Sequence, residues 1–175
     1  MISRAVIHAI AMLSGLALAT VANAANPQVA RGEYLVTIGG CNDCHTPGHF
    51  LGHDDSTRYL GGSDVGFGIP GLGVFVPPNL TPDKETGLGN WTDAQIIAAF
   101  THGVRPDGRM LSPIMPWEGL SHLTPADSQA IVAYLRSILP VHNKVPGPFG
   151  PSQTPTVFVM TVVPGQVYAK FPPPK

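Results

Sequence analysis

The feature that most constrains this 175-residue chain is its only pair of cysteines, Cys41 and Cys44, which is followed at once by His45. Cys-x-x-Cys-His is the sequence at which c-type haem is attached. Thiols at this spacing can form thioethers with the two vinyl groups on one edge of haem, and the next residue is then carried beneath the ring, where its imidazole reaches the iron. The motif therefore predicts one covalently attached haem c, bound by Cys41 and Cys44, with His45 as the proximal iron ligand.

Two other uses of the cysteine pair remain open. A redox disulfide of the thioredoxin kind is expected at the start of a helix that follows a strand, whereas this motif follows a predicted helix and enters a loop. A zinc site needs two further Cys or His ligands at short spacing, and His49 and His53 are the candidates. Both alternatives are weaker than haem attachment.

Composition limits the class of protein further. The chain contains 20 glycines and 19 prolines, while charged residues make up 12% and hydrophobic residues 43%. This combination predicts a folded, loop-rich domain with few and short regular elements. The net charge is −1, no basic residues cluster, and no phosphate-binding Gly-x-x-x-x-Gly-Lys run is present, so the sequence argues against a nucleic-acid-binding protein and a P-loop enzyme.

The first residues are typical of a targeting segment. Arg4 gives a positive start, residues 5–22 are mostly apolar, and Ala22-Asn23-Ala24 is an Ala-x-Ala cleavage signal. We expect a signal peptide over residues 1–24 that is cleaved after Ala24, and an exported protein that is at most peripheral to the membrane. An uncleaved membrane anchor is the alternative.

Capping signals predict three helices. Asn26 before Pro27 resembles an N-cap followed by proline at the first helical position. Thr92 with Gln95 three residues on completes a capping-box pattern, and Thr124 stands before a proline in the same way as Asn26. The predicted helices cover residues 28–38, residues 92 to a stop at 103, and residues 124 to a stop at 140.

The segments outside the helices are predicted to be irregular, with two exceptions. Residues 41–78 have no consistent period and are interpreted as loop, in which residues 72–76 form a short extended piece. The tail is rich in proline, but residues 156–163 read Thr-Val-Phe-Val-Met-Thr-Val-Val and predict a strand or an extended strap. We divide the chain into a signal peptide (1–24), one domain (25–145) and a Pro-rich C-terminal extension (146–175).

The second axial ligand of the iron is best assigned to Met115. Met115 lies between Pro113 and Pro116, whose restricted backbones would hold a thioether at a fixed distance from the iron. It also lies far enough from His45 along the chain to approach from the opposite face. Met110, after a glycine turn, is the second choice. The remaining candidates are Met160, His49, His53, His102, His122 and His142.

Taken in order, these motifs resemble class I cytochrome c, and they are most similar to the cytochrome subunits and domains of periplasmic alcohol and aldehyde dehydrogenases. The resemblance covers roughly residues 28–145. It is carried by the first helix, Cys41-Asn42-Asp43-Cys44-His45, residues 78–83, residues 86–89, residues 91–93, Met115-Pro116-Trp117 and residues 131–136. It implies a mainly α, loop-rich class I cytochrome c fold with short helices around one haem, and the strand predicted in the C-terminal tail lies outside this core.

The resemblance also implies roles for single residues. Pro78 matches the proline whose carbonyl accepts a hydrogen bond from the proximal histidine, here His45. Trp91 matches a position that reaches a haem propionate, although simple core packing explains it equally well. Gly32 and Tyr134 match the positions where the first and last helices cross.

The function that follows is electron transfer and not catalysis. We expect a periplasmic mono-haem cytochrome that carries single electrons from a dehydrogenase to a downstream oxidase or cytochrome. With His45 and Met115 both bound to iron, no site is left for a substrate. The alternatives are a haem enzyme or gas sensor with a labile sixth ligand, and a haem subunit of a dehydrogenase complex.

Overall fold

The computed structural model of the chain describes residues 26–171. The signal peptide predicted over residues 1–24, with its cleavage after Ala24, lies outside the described residues and stays a prediction. Within residues 26–171, no helix has both the length and the apolar character needed to cross a bilayer.

Helices make up most of the regular structure between residues 26 and 171. The six α-helices of this range are α1 (Pro27–Ile38), α2 (Cys41–His45), α3 (Asp93–His102), α4 (Trp117–Leu120), α5 (Pro125–Ser137) and α6 (Gly165–Tyr168). Its three strands are β1 (Val65–Ile69), β2 (Gly73–Phe75) and β3 (Phe158–Thr161). The prediction of a mainly helical, loop-rich fold with an extra strand in the tail is confirmed.

The predicted caps define where the long helices begin. Thr92 Oγ1 accepts from the Gln95 N–H at 3.2 Å, and Gln95 Oε1 accepts from the Thr92 N–H at 2.8 Å, so the capping box of α3 is complete. Thr124 Oγ1 accepts from the Asp127 N–H at 3.1 Å at the start of α5. These contacts satisfy N–H groups that have no partner inside a helix, which explains why both boundaries were readable from sequence.

Helices α1 and α5 cross at very close range, and the core forms around this crossing. A Cβ atom at Gly32 would overlap the Ala130 carbonyl and would lie 2.7 Å from Tyr134 Cβ, so only glycine fits there. The predicted crossing of Gly32 and Tyr134 is confirmed. The buried apolar cluster beside it consists of Val36, Leu60, Leu88, Ile96, Phe100, Ile131, Val132, Tyr134 and Leu135.

The three strands form one small sheet in the order β2-β1-β3. β1 pairs with β2 in antiparallel fashion and with β3 in parallel fashion, with Val65 opposite Phe158. The extended segments predicted at residues 72–76 and 156–163 therefore both take part in the sheet. The apolar side chains of β3 nevertheless stay exposed, and Phe158 is 65% exposed.

The prediction that residues 41–78 are loop is wrong in two places. The cysteine motif itself forms α2, which is too short for a periodic pattern to reveal. β1 reads Val-Gly-Phe-Gly-Ile, and its glycines look like loop residues. They allow neighbours to approach closely, because a Cβ atom at Gly66 would lie 2.5 Å from Val74 Cγ1 and one at Gly68 would lie 3.1 Å from Val159 Cγ1.

Candidate haem-binding site

The Cys-x-x-Cys-His motif forms a single short helix directly after α1. Gly40 separates the two helices with a left-handed backbone (φ +63°), a conformation that glycine adopts without strain. Cys41 and Cys44 are both partly buried, and both thiols are free. Burial is the main cause that raises the pKa of the Cys41 thiol to about 11. Burial also raises the pKa of the Cys44 thiol, so both thiols are protonated at neutral pH, and they lie three residues apart on one helical turn.

His45 is buried, with 4% of its surface exposed. Its Nδ1 lies 2.7 Å from the Pro78 carbonyl oxygen, and since a carbonyl can only accept, Nδ1–H donates. Burial lowers the pKa of His45 to about 4, so the imidazole is neutral and Nε2 carries a lone pair. Nε2 has no hydrogen-bond partner among residues 26–171 and is not sealed by protein atoms. The ring is thus fixed at one nitrogen and free to bind a metal at the other.

Three further hydrogen bonds fix the chain around His45. The Gly62 N–H donates to the His45 carbonyl at 2.8 Å. The Leu60 N–H donates to Thr46 Oγ1 at 2.9 Å, and the same hydroxyl donates to Asn42 Oδ1 at 2.6 Å. Thr46 is 1% exposed. The polar groups beside His45 are therefore paired within the protein, and the orientation of the histidine is set from several directions.

Met115 is half-buried and packs against the apolar core cluster. Its N–H donates to the Ser112 carbonyl at 3.0 Å, and its carbonyl accepts from the Trp117 N–H at 2.8 Å. The Trp117 ring lies against Gly103, where a Cβ atom would be 2.9 Å from the ring and where φ is +69°. The end of α3 and Trp117 together position the loop that contains Met115.

The other candidate ligands lie in different surroundings. Met110 and Met160 are 52% and 43% exposed, and Met110 lies on a turn, paired with Val104. His49 is half-buried, but its Nδ1 contacts Asp54 Oδ1 at 3.0 Å. The remaining histidines of the candidate set are exposed, namely His53, His102, His122 and His142. Among the three candidate methionines, Met115 alone packs against the core cluster, and its role as the second axial ligand stays a prediction.

Trp91 lies at the edge of the core cluster, beside an arginine that sequence reasoning missed. Arg105 Cζ lies 5.0 Å from the centre of the Trp91 ring, which is a cation–π contact. Arg105 Nε is buried and has no hydrogen-bond partner among the described residues, and Asp107 Oδ2 is too far for one at 3.6 Å. Arg105 belongs to a turn in the sequence, and only the tertiary contact with Trp91 distinguishes it from other surface arginines.

These features together fit a c-type haem. Cys41, Trp91 and Met115 all pack against the same apolar cluster. Two free thiols and an unpartnered imidazole nitrogen meet the covalent and axial requirements of the group. The unpartnered Nε of Arg105 is suited to one of its carboxylates. The zinc alternative gains no support, because residues 26–171 contain no group of three or more His, Cys, Asp or Glu side chains placed to hold a metal ion.

Comparison with known proteins gives consistent matches. The family model described as Cytochrome c matches residues 29–139. A protein described as alcohol dehydrogenase (quinone), cytochrome c subunit, from Gluconacetobacter polyoxogenes is 36% identical over 134 residues, which cover 76% of this chain and 27% of that protein. The fructose dehydrogenase cytochrome subunit of Gluconobacter japonicus is 36% identical over 117 residues, which cover 66% of this chain and 22% of that subunit.

The description of a third relative states a number of haems. This relative is a diheme cytochrome c-type protein of Cereibacter sphaeroides, 31% identical over 113 residues, which cover 65% of this chain and 37% of that protein. The chain spans about a quarter of the length of the alcohol and fructose dehydrogenase subunits (27% and 22%). The similarity therefore concerns one part of each of these longer proteins.

Proposed function

The chain belongs to the cytochrome c family, and from that premise we propose that it is a mono-haem electron carrier that works with a dehydrogenase in the periplasm. One observation carries the proposal. Next to the two free thiols of α2, His45 is buried with Nδ1 bonded to Pro78 and with Nε2 unpartnered among residues 26–171. This is the arrangement that an axial histidine needs, because the hydrogen bond at one nitrogen fixes the ring and leaves the other for iron.

The residues of the site have distinct tasks in this proposal. Cys41 and Cys44 would form the thioethers to haem, and His45 and Met115 would bind its iron. When bound, haem supplies an iron that alternates between Fe(II) and Fe(III) and so carries one electron. The thioether of Met115 is a soft ligand that favours Fe(II), and it closes the position at which a substrate or gas would bind. No side chain at the site needs to move a proton.

We propose that Trp91 and Arg105 together bind a haem carboxylate. The guanidinium is stacked on the indole and has a buried N–H without a partner, so an incoming carboxylate would satisfy it. This pairing holds the carboxylate end of the cofactor, whereas α2 holds the vinyl edge. A positive charge near the iron also disfavours Fe(III), so Arg105 acts on the redox equilibrium in the same direction as Met115.

The proposed electron donor is a dehydrogenase, and the proposed acceptor is a downstream oxidase or another cytochrome. Support for the donor comes from the similarity to cytochrome subunits of alcohol and fructose dehydrogenases. The proposal of a single haem rests on the single Cys-x-x-Cys-His motif in the 175 residues. The proposed periplasmic location rests on the signal-peptide pattern of residues 1–24.

The test is expression of the full chain in a host that matures c-type cytochromes. We expect the periplasmic fraction to contain a protein with one haem per chain that survives acid–acetone extraction. Cys41→Ala and Cys44→Ala should each leave at most one thioether, and the double variant none. Haem that stays covalently bound in the double variant contradicts the assignment. A wild-type protein that binds carbon monoxide at once in the ferrous state, or cyanide at once in the ferric state, points instead to the haem enzyme or sensor.

A further inference from the structure

The segment that follows α5 returns to the side of the domain where His45 lies. Residues 141–145, which we call the return segment, come after the end of the family match at residue 139. They contact two loops, residues 60–63 and residues 77–81. Both loops form hydrogen bonds with His45, one to its carbonyl and one to its ring. Each of these loops therefore connects the return segment to the proposed axial ligand.

The first connection runs through Asn79, which is 2% exposed. Asn79 Nδ2 donates to the Val141 carbonyl at 2.7 Å, and the Val141 N–H donates to Thr81 Oγ1 at 3.0 Å. Asn79 Oδ1 accepts from the Thr81 N–H at 2.9 Å. The peptide group that joins Pro78 to Asn79 is planar and contains the carbonyl that accepts from His45 Nδ1. Contacts that fix Asn79 therefore fix the direction of that carbonyl.

The second connection runs through one peptide group. Asn143 Nδ2 donates to the Gly61 carbonyl at 2.8 Å, and the N–H of the same peptide group, which belongs to Gly62, donates to the His45 carbonyl at 2.8 Å. The Asn143 N–H donates to Thr86 Oγ1 at 3.0 Å, which holds the return segment in place. Hydrogen bonds in such a chain polarise one another. Asn143 thus acts on the backbone of His45 through a single rigid unit.

We propose that Asn143 is a positioning residue for His45, and that the return segment sets the orientation of the imidazole and the strength of its hydrogen bond to Pro78. The inference rests on the proposed function, since it assigns an effect on the iron ligand. A strong hydrogen bond from Nδ1 makes the imidazole a more basic ligand, which favours Fe(III). Loosening the return segment therefore shifts the equilibrium towards Fe(II) and raises the reduction potential.

The test uses the full chain with its haem and the substitution Asn143→Ala. We expect the Fe(II)-to-Fe(III) ratio at a fixed potential to rise by up to about tenfold, which equals about 59 mV for a one-electron couple. We also expect the His45 Nδ1–H of the reduced protein to exchange with solvent faster, as measured by NMR. Asn90→Ala is the matched control, because exposed Asn90 also donates one bond to a carbonyl, that of Lys84 at 2.6 Å, and neither residue belongs to the two loops.

The outcomes separate this inference from the proposed function. If Asn143→Ala does not fold, the milder Asn143→Ser takes its place, since serine is too short to reach Gly61. Variants that lower only the melting temperature, with unchanged potential and exchange, overturn the positioning role, and so does an equal shift in Asn90→Ala. A wild-type chain without covalent haem overturns the proposed function as well. A wild-type chain with covalent haem and unshifted Asn143 variants overturns this inference alone.

Discussion

The chain around His45 and the loop that contains Met115 are held in different ways. His45, Thr46 and Asn79 are 4%, 1% and 2% exposed, and their hydrogen bonds come from residues far apart in sequence. Met115 is only half-buried, and its backbone hydrogen bonds reach residues two and three positions away. Met110 and Ile114 beside it are 52% and 50% exposed. The segment that contains His45 is part of the buried interior, whereas the segment that contains Met115 is a surface loop.

This difference has a consequence for local stability. A segment with few buried contacts opens at a lower free energy than one inside a dense hydrogen-bond network. We therefore expect the proposed Met115 ligand to dissociate from iron well before the His45 ligand does. Three pairs of substitutions test this contrast, and each pair compares similar changes at unlike positions.

The largest effect is expected from Asn79→Ala compared with Ser112→Ala. Asn79 donates to Val141 and Thr86 and accepts from Thr81, so its removal leaves buried groups unpaired and costs about 3 kcal/mol of unfolding free energy. Ser112 is 8% exposed, but its hydroxyl accepts only a long bond of 3.4 Å, and its removal costs less than about 1 kcal/mol. Urea denaturation of the haem-loaded proteins measures both values. Equal losses of unfolding free energy would show that the two regions do not differ in how firmly they are held.

The second pair is Met115→Ala and Met110→Ala, which remove the same side chain five residues apart. Met115→Ala is expected to abolish the far-red charge-transfer band of the ferric protein and to lower the reduction potential, because a soft ligand is lost. Met110 is 52% exposed, so Met110→Ala is expected to keep the band and to change stability by less than about 0.5 kcal/mol. Absorption spectra and redox titration provide the measurement. Loss of the band in Met110→Ala alone would reverse the ligand assignment.

The smallest effect is expected from Gly103→Ala compared with Gly108→Ala. Both glycines have positive φ, +69° and +78°, so both substitutions carry a similar backbone strain of about 1 kcal/mol. A Cβ atom at Gly103 also meets the Trp117 ring at 2.9 Å, while one at Gly108 meets nothing within 4 Å. We expect Gly103→Ala alone to displace the Met115 loop, at about 1 kcal/mol of extra cost.

The rate at which ferric iron binds cyanide measures that displacement. It is expected to rise in Gly103→Ala and to stay at the wild-type value in Gly108→Ala. Since backbone strain is common to both variants, the difference isolates the contact with Trp117. The same rate in both variants would mean that Trp117 does not position Met115.

The parts of the molecule that could be predicted from sequence are those with local chemical causes. The capping box of Thr92 and Gln95 is a contact between near neighbours, so its residues alone locate the start of α3. The haem motif is equally local. The crossing at Gly32 became predictable only through a family resemblance, because nothing in the neighbouring sequence indicates that Ala130 and Tyr134 approach it.

The parts that escaped prediction depend on distant contacts. β1 contains two glycines and forms a strand only because β2 and β3 pair with it. The role proposed for Arg105 depends on its contact with Trp91, and the role proposed for Asn143 depends on its hydrogen bond to Gly61. Neither pair is close in sequence. Backbone carbonyls such as those of Pro78 and Gly61 carry much of the network around His45, and a carbonyl has the same chemistry in every residue. Sequence patterns therefore do not distinguish these groups from any others.

The pairing of β3 with β1 has a consequence for how the native protein opens. Thr161 Oγ1 donates to the Gly68 carbonyl across 93 positions of the chain, so joining β3 to the sheet carries the entropy cost of closing a long loop. All four side chains of β3 are exposed, and its attachment gains little from apolar burial. We expect β3 to detach as a separate unit ahead of global unfolding. Its amide protons would then exchange through brief openings, while those of α1 and α5 exchange only when the whole molecule unfolds.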